Sequence, residues 1–135
     1  MALINWNDRL SVNVKVIDEQ HKKLVDMIND LHDAMKQRKG KEILNQILTS
    51  LIEYTAIHFK QEEGYLTKFG YKDIINHKKK HVEFVQKVVN FKKDFENGKI
   101  LLTIEVMDFL SEWLKEHIQG TDKEYTSFLN EKGMN

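Results

Sequence analysis

The residues of this sequence best suited to chemistry are histidines and carboxylates at helical spacing. His58 precedes Glu62 by four positions, and His77 precedes His81 by four. Residues four apart lie on one face of a helix, with Cβ atoms about 5–6 Å apart, so each pair can share a metal ion. Two such pairs predict a site built from imidazole and carboxylate ligands.

His117 and Asp122 are five positions apart. On a regular helix they would point about 140° away from each other. Gly120 lies between them, and we expect it to let the helix end or distort so that Asp122 turns back toward His117. Under that condition Asp122 joins the candidate ligands.

The number of candidate ligands predicts two metal ions. A structural zinc takes four ligands, whereas carboxylates can bridge two ions while imidazoles complete each shell. Imidazole suits zinc, copper, iron and nickel, so the ligand types leave the metal open. The alternative, in which every buried polar group is satisfied without metal, is disfavoured for so many groups. The candidate ligands are His21, His58, Glu62, His77, His81, His117 and Asp122.

The stretch INHKKKH at residues 75–81 raises the question of whether its lysines form a phosphate-binding patch. The chain has 21 basic and 21 acidic residues, so no global field draws it to nucleic acid or an anionic membrane. We therefore predict that Lys78, Lys79 and Lys80 form a solvated face, rather than a docking site for an acidic partner. His32 lies about 16 Å along the helix axis from His21 and is predicted to be a structural or surface residue.

Four amphipathic segments position the candidate ligands. Apolar residues recur every three or four positions along seams that run from Ile17 to Met35, Leu44 to Tyr65, Ile74 to Phe95 and Leu102 to His117. Short connections favour antiparallel neighbours, which predicts an all-α, up-down-up-down four-helix bundle in a single domain spanning residues 1–135. The start of one helix then lies beside the end of the next. The histidines and the glutamate that interrupt the apolar seams are therefore expected to meet at one end of the bundle.

Two terminal segments complete the predicted fold. Residues 1–15 are expected to form an N-terminal arm anchored by Trp6, and residues 122–131 a short C-terminal helix. The absence of cysteine excludes disulfides and thiolate ligands. The start of the chain lacks the pattern of a signal peptide, and no apolar run approaches the roughly 18 residues that span a bilayer. A cytoplasmic protein without membrane insertion is expected.

The motifs of this chain resemble those of the hemerythrin family, in particular its single-domain bacterial members. The motifs are DEQHKKL around His21, HFKQEE at 58–63, HKKKH at 77–81 and HIQGTD at 117–122. The resemblance extends from Trp6 to Tyr125 and fills all seven ligand positions of that family.

The resemblance implies a non-haem diiron centre that binds dioxygen reversibly, as in an oxygen carrier, storage or delivery protein rather than an enzyme. His77, His81 and His117 would hold one iron, and His21 and His58 the other, which keeps one position open for dioxygen. The two irons (Fe2+/Fe3+) would be bridged by an oxo or hydroxo group together with Glu62 and Asp122.

The resemblance also implies an apolar oxygen pocket. It places Leu24, Phe59 and Trp113 around the oxygen position, a role that agrees with their being ordinary core residues. At Gly120 the animal carriers have a bulky aliphatic residue, so a solvent path and faster autoxidation are expected here. Tyr125 is predicted to donate a hydrogen bond to a ligand, with simple packing as the alternative.

Two other classes of function compete with an oxygen carrier. The first is a diiron enzyme or sensor that handles peroxide, nitric oxide or ferrous iron, and the second is a structural, zinc-loaded bundle. Oxygen-activating bundles use Glu-x-x-His motifs, and no histidine here has a glutamate three positions before it. Dioxygen, an oxygen-using enzyme partner, and a monomer or weak oligomer are the expectations for binding and assembly.

Overall fold

Four long helices make up the chain. The computed structural model describes residues 4–98 and 104–135. The helices are α1 (Lys15–Lys36), α2 (Lys41–Phe69), α3 (Ile74–Glu96) and α4 (Ile104–Glu116). The predicted all-α bundle is confirmed, with α2 packed against both α1 and α3, and α4 against α1. No described helix is long and apolar enough to cross a membrane.

The predicted seams form the core of the bundle. Most of their leucines, isoleucines and phenylalanines are buried between the helices, because each seam follows one face of its helix, whereas Leu44, Ile74 and Phe91 are half-buried. The seam of α4 is described from Met107 onward, and Leu102 lies outside the described residues. The seam residues of α2, α3 and α4 that are buried include Leu48, Leu51, Phe84, Val88, Phe95 and Leu110.

Short, capped connections set the antiparallel order. α2 ends at Gly70, whose φ of 79° is left-handed and whose N–H bonds the carbonyls of Leu66 and Thr67. Only residues 71–73 then precede α3. A connection this short can reverse the chain but cannot cross the bundle, so the end of α2 lies beside the start of α3.

The N-terminal arm packs along α1. The Asn29 side chain makes two hydrogen bonds to the backbone of Ile4. Its Oδ1 accepts from the N–H at 2.9 Å, and its Nδ2 donates to the carbonyl at 2.8 Å. Trp6, the predicted anchor, is only half-buried, with the Lys22 ammonium 5.3 Å from its ring centre. The fully buried contacts come instead from aliphatic side chains. They are Ile4, Leu10, Val12 and Val14. Residues 1–3 of the predicted arm lie outside the described residues.

The chain after α4 continues as a π-helical turn (His117–Thr121), a 3-10 turn (Asp122–Tyr125) and a short helix, α5 (Thr126–Glu131). The predicted C-terminal helix is therefore present. Thr126 donates its hydroxyl to the Val12 carbonyl at 2.9 Å, and Asn130 donates to the Asn13 carbonyl at 3.1 Å. These bonds hold the C-terminal segment and the arm together beside the polar end of the core.

Candidate metal centre

Five imidazoles and two carboxylates meet at one end of the core. They come from the start of α1 and α3, the end of α2, and the π-helical and 3-10 turns after α4, as the antiparallel order requires. No residue of the group is more than 5% exposed. The structure thus brings together all seven side chains that the sequence singled out as candidate ligands: His21, His58, Glu62, His77, His81, His117 and Asp122.

The two oxygens of Glu62 face different histidines. Its Oε1 lies 2.6 Å from Nε2 of His77 and 3.2 Å from Nε2 of His81. Its Oε2 lies 3.3 Å from Nε2 of His58 and 3.6 Å from Nε2 of His21. The carboxylate therefore stands between two sets of imidazoles and presents one oxygen to each.

The two oxygens of Asp122 also face different histidines. Its Oδ1 lies 3.0 Å from Nε2 of His117 and 3.2 Å from Nε2 of His77, whereas its Oδ2 lies 3.2 Å from Nε2 of His21. Together the two carboxylates sort the imidazoles into a set of three and a set of two. One side has three imidazoles and two oxygens, and the other has two imidazoles and two oxygens.

The π-helical turn explains how Asp122 reaches the centre. Its backbone N–H bonds the carbonyl of His117, five residues earlier, as well as that of Ile118. A π turn is wider than an α turn, so residues five apart come onto the same face. The expected distortion is present, but the helix neither ends nor reverses at Gly120, because the backbone of Asp122 remains right-handed with φ −70° and ψ −35°.

Several buried atoms of the centre have no hydrogen-bond partner in the described parts of the chain. They are both ring nitrogens of His21 and both carboxylate oxygens of Asp122. A buried polar atom without a partner costs about 1–3 kcal/mol. Metal ions between the two sets would satisfy Nε2 of His21 and both oxygens at once, and mixed imidazole and carboxylate donors suit first-row transition metals. The residues present therefore fit a metal centre.

Without metal, protons take the place of the cations. Burial alone would lower the pKa of His21 and of His77, but the close, negatively charged carboxylates of Asp122 and Glu62 outweigh it and raise each pKa to about 9. Burial would likewise raise the pKa of both carboxyls, yet the surrounding imidazoles hold each well below its usual range. Burial lowers the pKa of His58 despite the nearby Glu62. The centre is thus built to keep both carboxylates charged.

Two polar residues missed by the sequence analysis hold imidazoles from behind. The Gln20 Oε1 lies 2.5 Å from Nδ1 of His58, and the Glu63 Oε2 lies 2.8 Å from Nδ1 of His81. Each bond turns the other ring nitrogen, Nε2, toward the carboxylates. Both residues are sequence neighbours of candidate ligands, and this adjacency on facing helices is the signal that could have identified them.

The Tyr125 hydroxyl donates to Oε2 of Glu62 at 3.1 Å, and the side chain is completely buried. Burial, together with the negative charges of Asp122 and Glu62, raises the pKa of Tyr125 well above its usual range. The hydroxyl therefore remains a hydrogen-bond donor at any physiological pH. This is the contact expected for Tyr125 from the sequence.

Aromatic rings separate the imidazoles from the apolar core. Phe59 stacks on His81 with ring centres 3.7 Å apart and planes within 1° of parallel, and Trp113 stacks on His117 at 4.4 Å and 12°. Phe59, Trp113 and Leu24 also line an apolar cavity of about 10 Å³ in the adjoining core. A cavity of this size and lining stays dry, because water would find almost no polar partner there.

Gly120 is not brought to that cavity. It is exposed in the π-helical turn, and a Cβ added to it would meet no atom within 4 Å. A Cβ can therefore be added at this position without a clash, and Gly120 is not among the residues that line the cavity. The expectation that Gly120 lines the oxygen pocket therefore finds no support in its position.

The remaining predictions concern residues outside the centre. Among the described residues His32 belongs to neither group of metal-ligating side chains, and it is half-buried. Lys78 and Lys79 are exposed, as predicted for a solvated face, whereas Lys80 is half-buried and donates to the Thr121 hydroxyl at 3.2 Å. The stretch at 75–81 thus has two ligand candidates on its inner face and lysines on its outer face.

Comparison with known proteins agrees with this geometry. The family model described as the hemerythrin HHE cation binding domain matches residues 12–129. A bacteriohemerythrin of Methylococcus capsulatus is 37% identical over 131 residues, which cover 96% of this chain and 99% of the relative. A bacteriohemerythrin of Pseudomonas aeruginosa is 38% identical over 125 residues, which cover 93% and 80% respectively.

Solved structures give the same result. A wild-type hemerythrin superimposes with a TM-score of 0.88 and 34% identity, covering 93% of this chain and 97% of that one. A mutant hemerythrin, L114Y, superimposes with a TM-score of 0.89 at the same identity. The four-helix bundle and 97% of the length of these neighbours are therefore matched.

Proposed function

Since this chain belongs to the hemerythrin family, we propose that it binds dioxygen reversibly at a non-haem diiron centre. The observation that carries the proposal is the division of the donor atoms by Glu62 and Asp122. Five donors face one side, namely three imidazoles and two oxygens, and four donors face the other. Two ions held there would differ by one protein ligand, so one ion would keep a position for an external molecule.

The division of oxygens supports a definite assignment of ligands. His77, His81 and His117 would hold one iron, and His21 and His58 the other. Glu62 and Asp122 would bridge the two ions, since each presents one oxygen to each set of imidazoles. The open position would then belong to the ion held by His21 and His58.

When bound, a pair of ferrous ions supplies the two electrons that reversible capture of dioxygen requires. The protein's contribution is to exclude water and protons, which would otherwise promote irreversible oxidation. Phe59 and Trp113 stack on two of the imidazoles and line the dry cavity beside them. Walls of this kind disfavour water, because it would find almost no polar partner there.

Tyr125 supports the bridging role of Glu62. Its hydroxyl keeps its proton and donates to Oε2, so one lone pair of that oxygen is committed and the carboxylate cannot rotate freely. Partners of this kind orient metal ligands and tune their basicity. The side chain of Tyr125 would therefore hold Glu62 in the position from which its two oxygens reach both ions.

Binding rather than oxidation chemistry is supported by the ligand types. Bundles with ferritin-like diiron sites use several glutamates and Glu-x-x-His motifs. The present centre has five imidazoles and only two carboxylates, and no histidine of the chain follows a glutamate by three positions. The relatives reported above carry the name bacteriohemerythrin. An imidazole-rich centre lacks the anionic shell that would stabilise high-valent iron.

Anaerobic loading followed by oxygen cycling tests the proposal. The metal-free protein is loaded with ferrous iron, its iron content is measured, and visible spectra are recorded while oxygen is admitted and removed. We expect two irons per chain and an absorption band that appears with oxygen and disappears without it. Irreversible conversion to the ferric state would favour an enzyme. Two zinc ions in protein purified without added metal would favour a structural role.

A matched pair of variants on α3 tests the ligand assignment. His77→Ala should lower the iron content below two per chain, because it removes a donor that contacts both carboxylates. Lys79→Ala changes an exposed residue two positions away and should leave the iron content at two. Equal iron contents in the two variants would refute the assignment of His77.

A further inference from the structure

The two halves of the metal centre are supported by residues of different charge. Behind His81, on the side with three imidazoles, the Oε2 of Glu63 accepts from Nδ1 at 2.8 Å. Behind His58, on the side with two imidazoles, the acceptor is the neutral amide oxygen of Gln20 at 2.5 Å. The two sides of the centre therefore differ in the charge of the residue behind an imidazole, as well as in the number of imidazoles.

We propose that Glu63 is a positioning residue that makes the three-imidazole side the more electron-rich half of the centre. The inference rests on the proposed metal site but not on oxygen binding. An imidazole that donates its Nδ1–H to a carboxylate has a more basic Nε2 than one that donates to an amide. Glu63 therefore stabilises the higher charge of a ferric ion at His81, and Gln20 gives no comparable stabilisation at His58.

The surroundings of Glu63 favour this role over that of a surface acid. Among the described residues, the only lysine, arginine or histidine nitrogen within 4.0 Å of its carboxylate is Nδ1 of His81, at 2.8 Å. Its side chain is 23% exposed and lines a surface groove together with Lys60 and Val82. A carboxylate that is mostly withdrawn from water is less screened than a surface one, so its charge acts on the imidazole it touches.

The ring of His81 is also fixed in place by Glu63. Phe59 stacks against one face of the imidazole, and the hydrogen bond at Nδ1 selects one of the two orientations that are related by a flip of the ring about its bond to Cβ. With that bond in place, Nε2 lies 3.2 Å from Oε1 of Glu62. Glu63 thus acts on both the orientation and the basicity of a single ligand, and it does not itself reach the ions.

Two substitutions separate these effects. Glu63→Gln keeps the shape and an oxygen that can accept the Nδ1–H, but removes the charge. Glu63→Ala removes both. In the iron-loaded protein we expect Glu63→Gln to raise the reduction potential by about 59 mV, equivalent to a tenfold change for one electron. Glu63→Ala should lower metal affinity by roughly 10–100-fold, the range typical of outer-shell partners.

Two further variants provide the controls. Glu83→Gln removes the same charge from an exposed position of α3, two residues from His81. It should change neither the reduction potential nor the metal affinity. Gln20→Glu places a carboxylate behind His58 and should shift the potential in the opposite direction to Glu63→Gln. A general effect of net charge would instead move all the glutamate-to-glutamine variants alike.

The measurements are anaerobic competition with a metal chelator and a mediated redox titration followed by absorbance. If Glu63→Gln and Glu83→Gln have the same reduction potential, or if Glu63→Ala binds metal as tightly as the unaltered protein, the inference is wrong. Neither measurement involves oxygen, so a centre that fails to bind oxygen reversibly still tests it. Should the native metal be zinc, the affinities of Glu63→Ala and Glu83→Gln for zinc decide the question in the same way.

Discussion

Replacement of Tyr125 by phenylalanine isolates one hydrogen bond at the base of the centre. The aromatic ring should stay in place, because it packs against Tyr71 and His77 with ring centres 6.4 Å and 5.7 Å away. The change removes only the hydroxyl that donates to Oε2 of Glu62 at 3.1 Å. Tyr125→Phe therefore alters the support of a carboxylate without creating a large cavity.

The magnitude follows from burial and charge. Tyr125 and Glu62 are both completely buried, and the carboxylate is ionised, because its imidazole neighbours hold the pKa low. A hydrogen bond to a charged group contributes about 1.5–3 kcal/mol. We therefore expect the free energy of unfolding of the metal-free protein to fall by about 2 kcal/mol in Tyr125→Phe.

Urea denaturation of the metal-free protein measures this loss. For a slope of about 2 kcal/mol per molar urea, the midpoint should fall by roughly 1 M. Tyr54→Phe provides the control, because Tyr54 is half-buried and its ring lies under the Lys23 ammonium at 4.6 Å, away from the metal ligands. That variant should change the free energy of unfolding by no more than about 0.5 kcal/mol.

Iron content gives a second readout. Tyr125 is not one of the proposed ligands, so Tyr125→Phe should still take up two irons per chain. If its unfolding midpoint equals that of Tyr54→Phe, the hydrogen bond to Glu62 contributes nothing and the reasoning fails. If the midpoint is unchanged but iron is lost, the hydroxyl affects metal binding without stabilising the fold, which also contradicts the magnitude worked out above.

Three further predictions concern stability. Gly120→Ala should stabilise the protein by up to about 1 kcal/mol, whereas Gly70→Ala should destabilise it by about 1–2 kcal/mol. A Cβ would fit at either site, but the φ of Gly70 is 79°, a left-handed value that strains an alanine. Melting temperatures of the two variants that shift in the same direction would contradict this. The metal-free protein should lose stability between pH 6.5 and 9. The pKa of His21 and of His77 is about 9 in the folded protein and 6.5 in the unfolded chain. Their contribution to the free energy of unfolding is therefore complete below pH 6.5 and is lost as the pH rises through 9. A melting temperature that increases over this range would refute the prediction. Asp18→Ala should cost about 1–2 kcal/mol in urea denaturation, because it removes the acceptor of two hydrogen bonds from the arm; an unchanged midpoint would show that the arm is held by its buried aliphatic residues alone.

Helical periodicity made most of the fold and of the candidate site predictable from the sequence. His58 and Glu62 interrupt an otherwise apolar seam, and so do His77 and His81, so their burial and their shared level followed from the spacing and from antiparallel packing. These features depend on one helix at a time, together with the simple rule that short loops reverse the chain.

What could not be predicted depends on contacts between helices. Gln20 and Glu63 lie next to candidate ligands, about 100° around the helix from them, and such positions are ordinarily solvated. Their roles come from imidazoles on a facing helix. The five-residue spacing from His117 to Asp122 required a distortion, but it did not distinguish a widened turn from a helix end, and the π-helical turn was therefore missed.

The spread of the candidate ligands along the chain has a consequence for biosynthesis. The first of them is residue 21 and the last is residue 122, and both sides of the centre use Asp122. A nascent chain that has not yet emerged as far as the π-helical turn lacks Asp122, the carboxylate that presents one oxygen to each side of the centre. Earlier helices can pair as they leave the ribosome, but metal uptake has to wait for the fourth. Incorporation of metal would then follow the emergence of the π-helical turn and would not guide the early stages of folding on the ribosome.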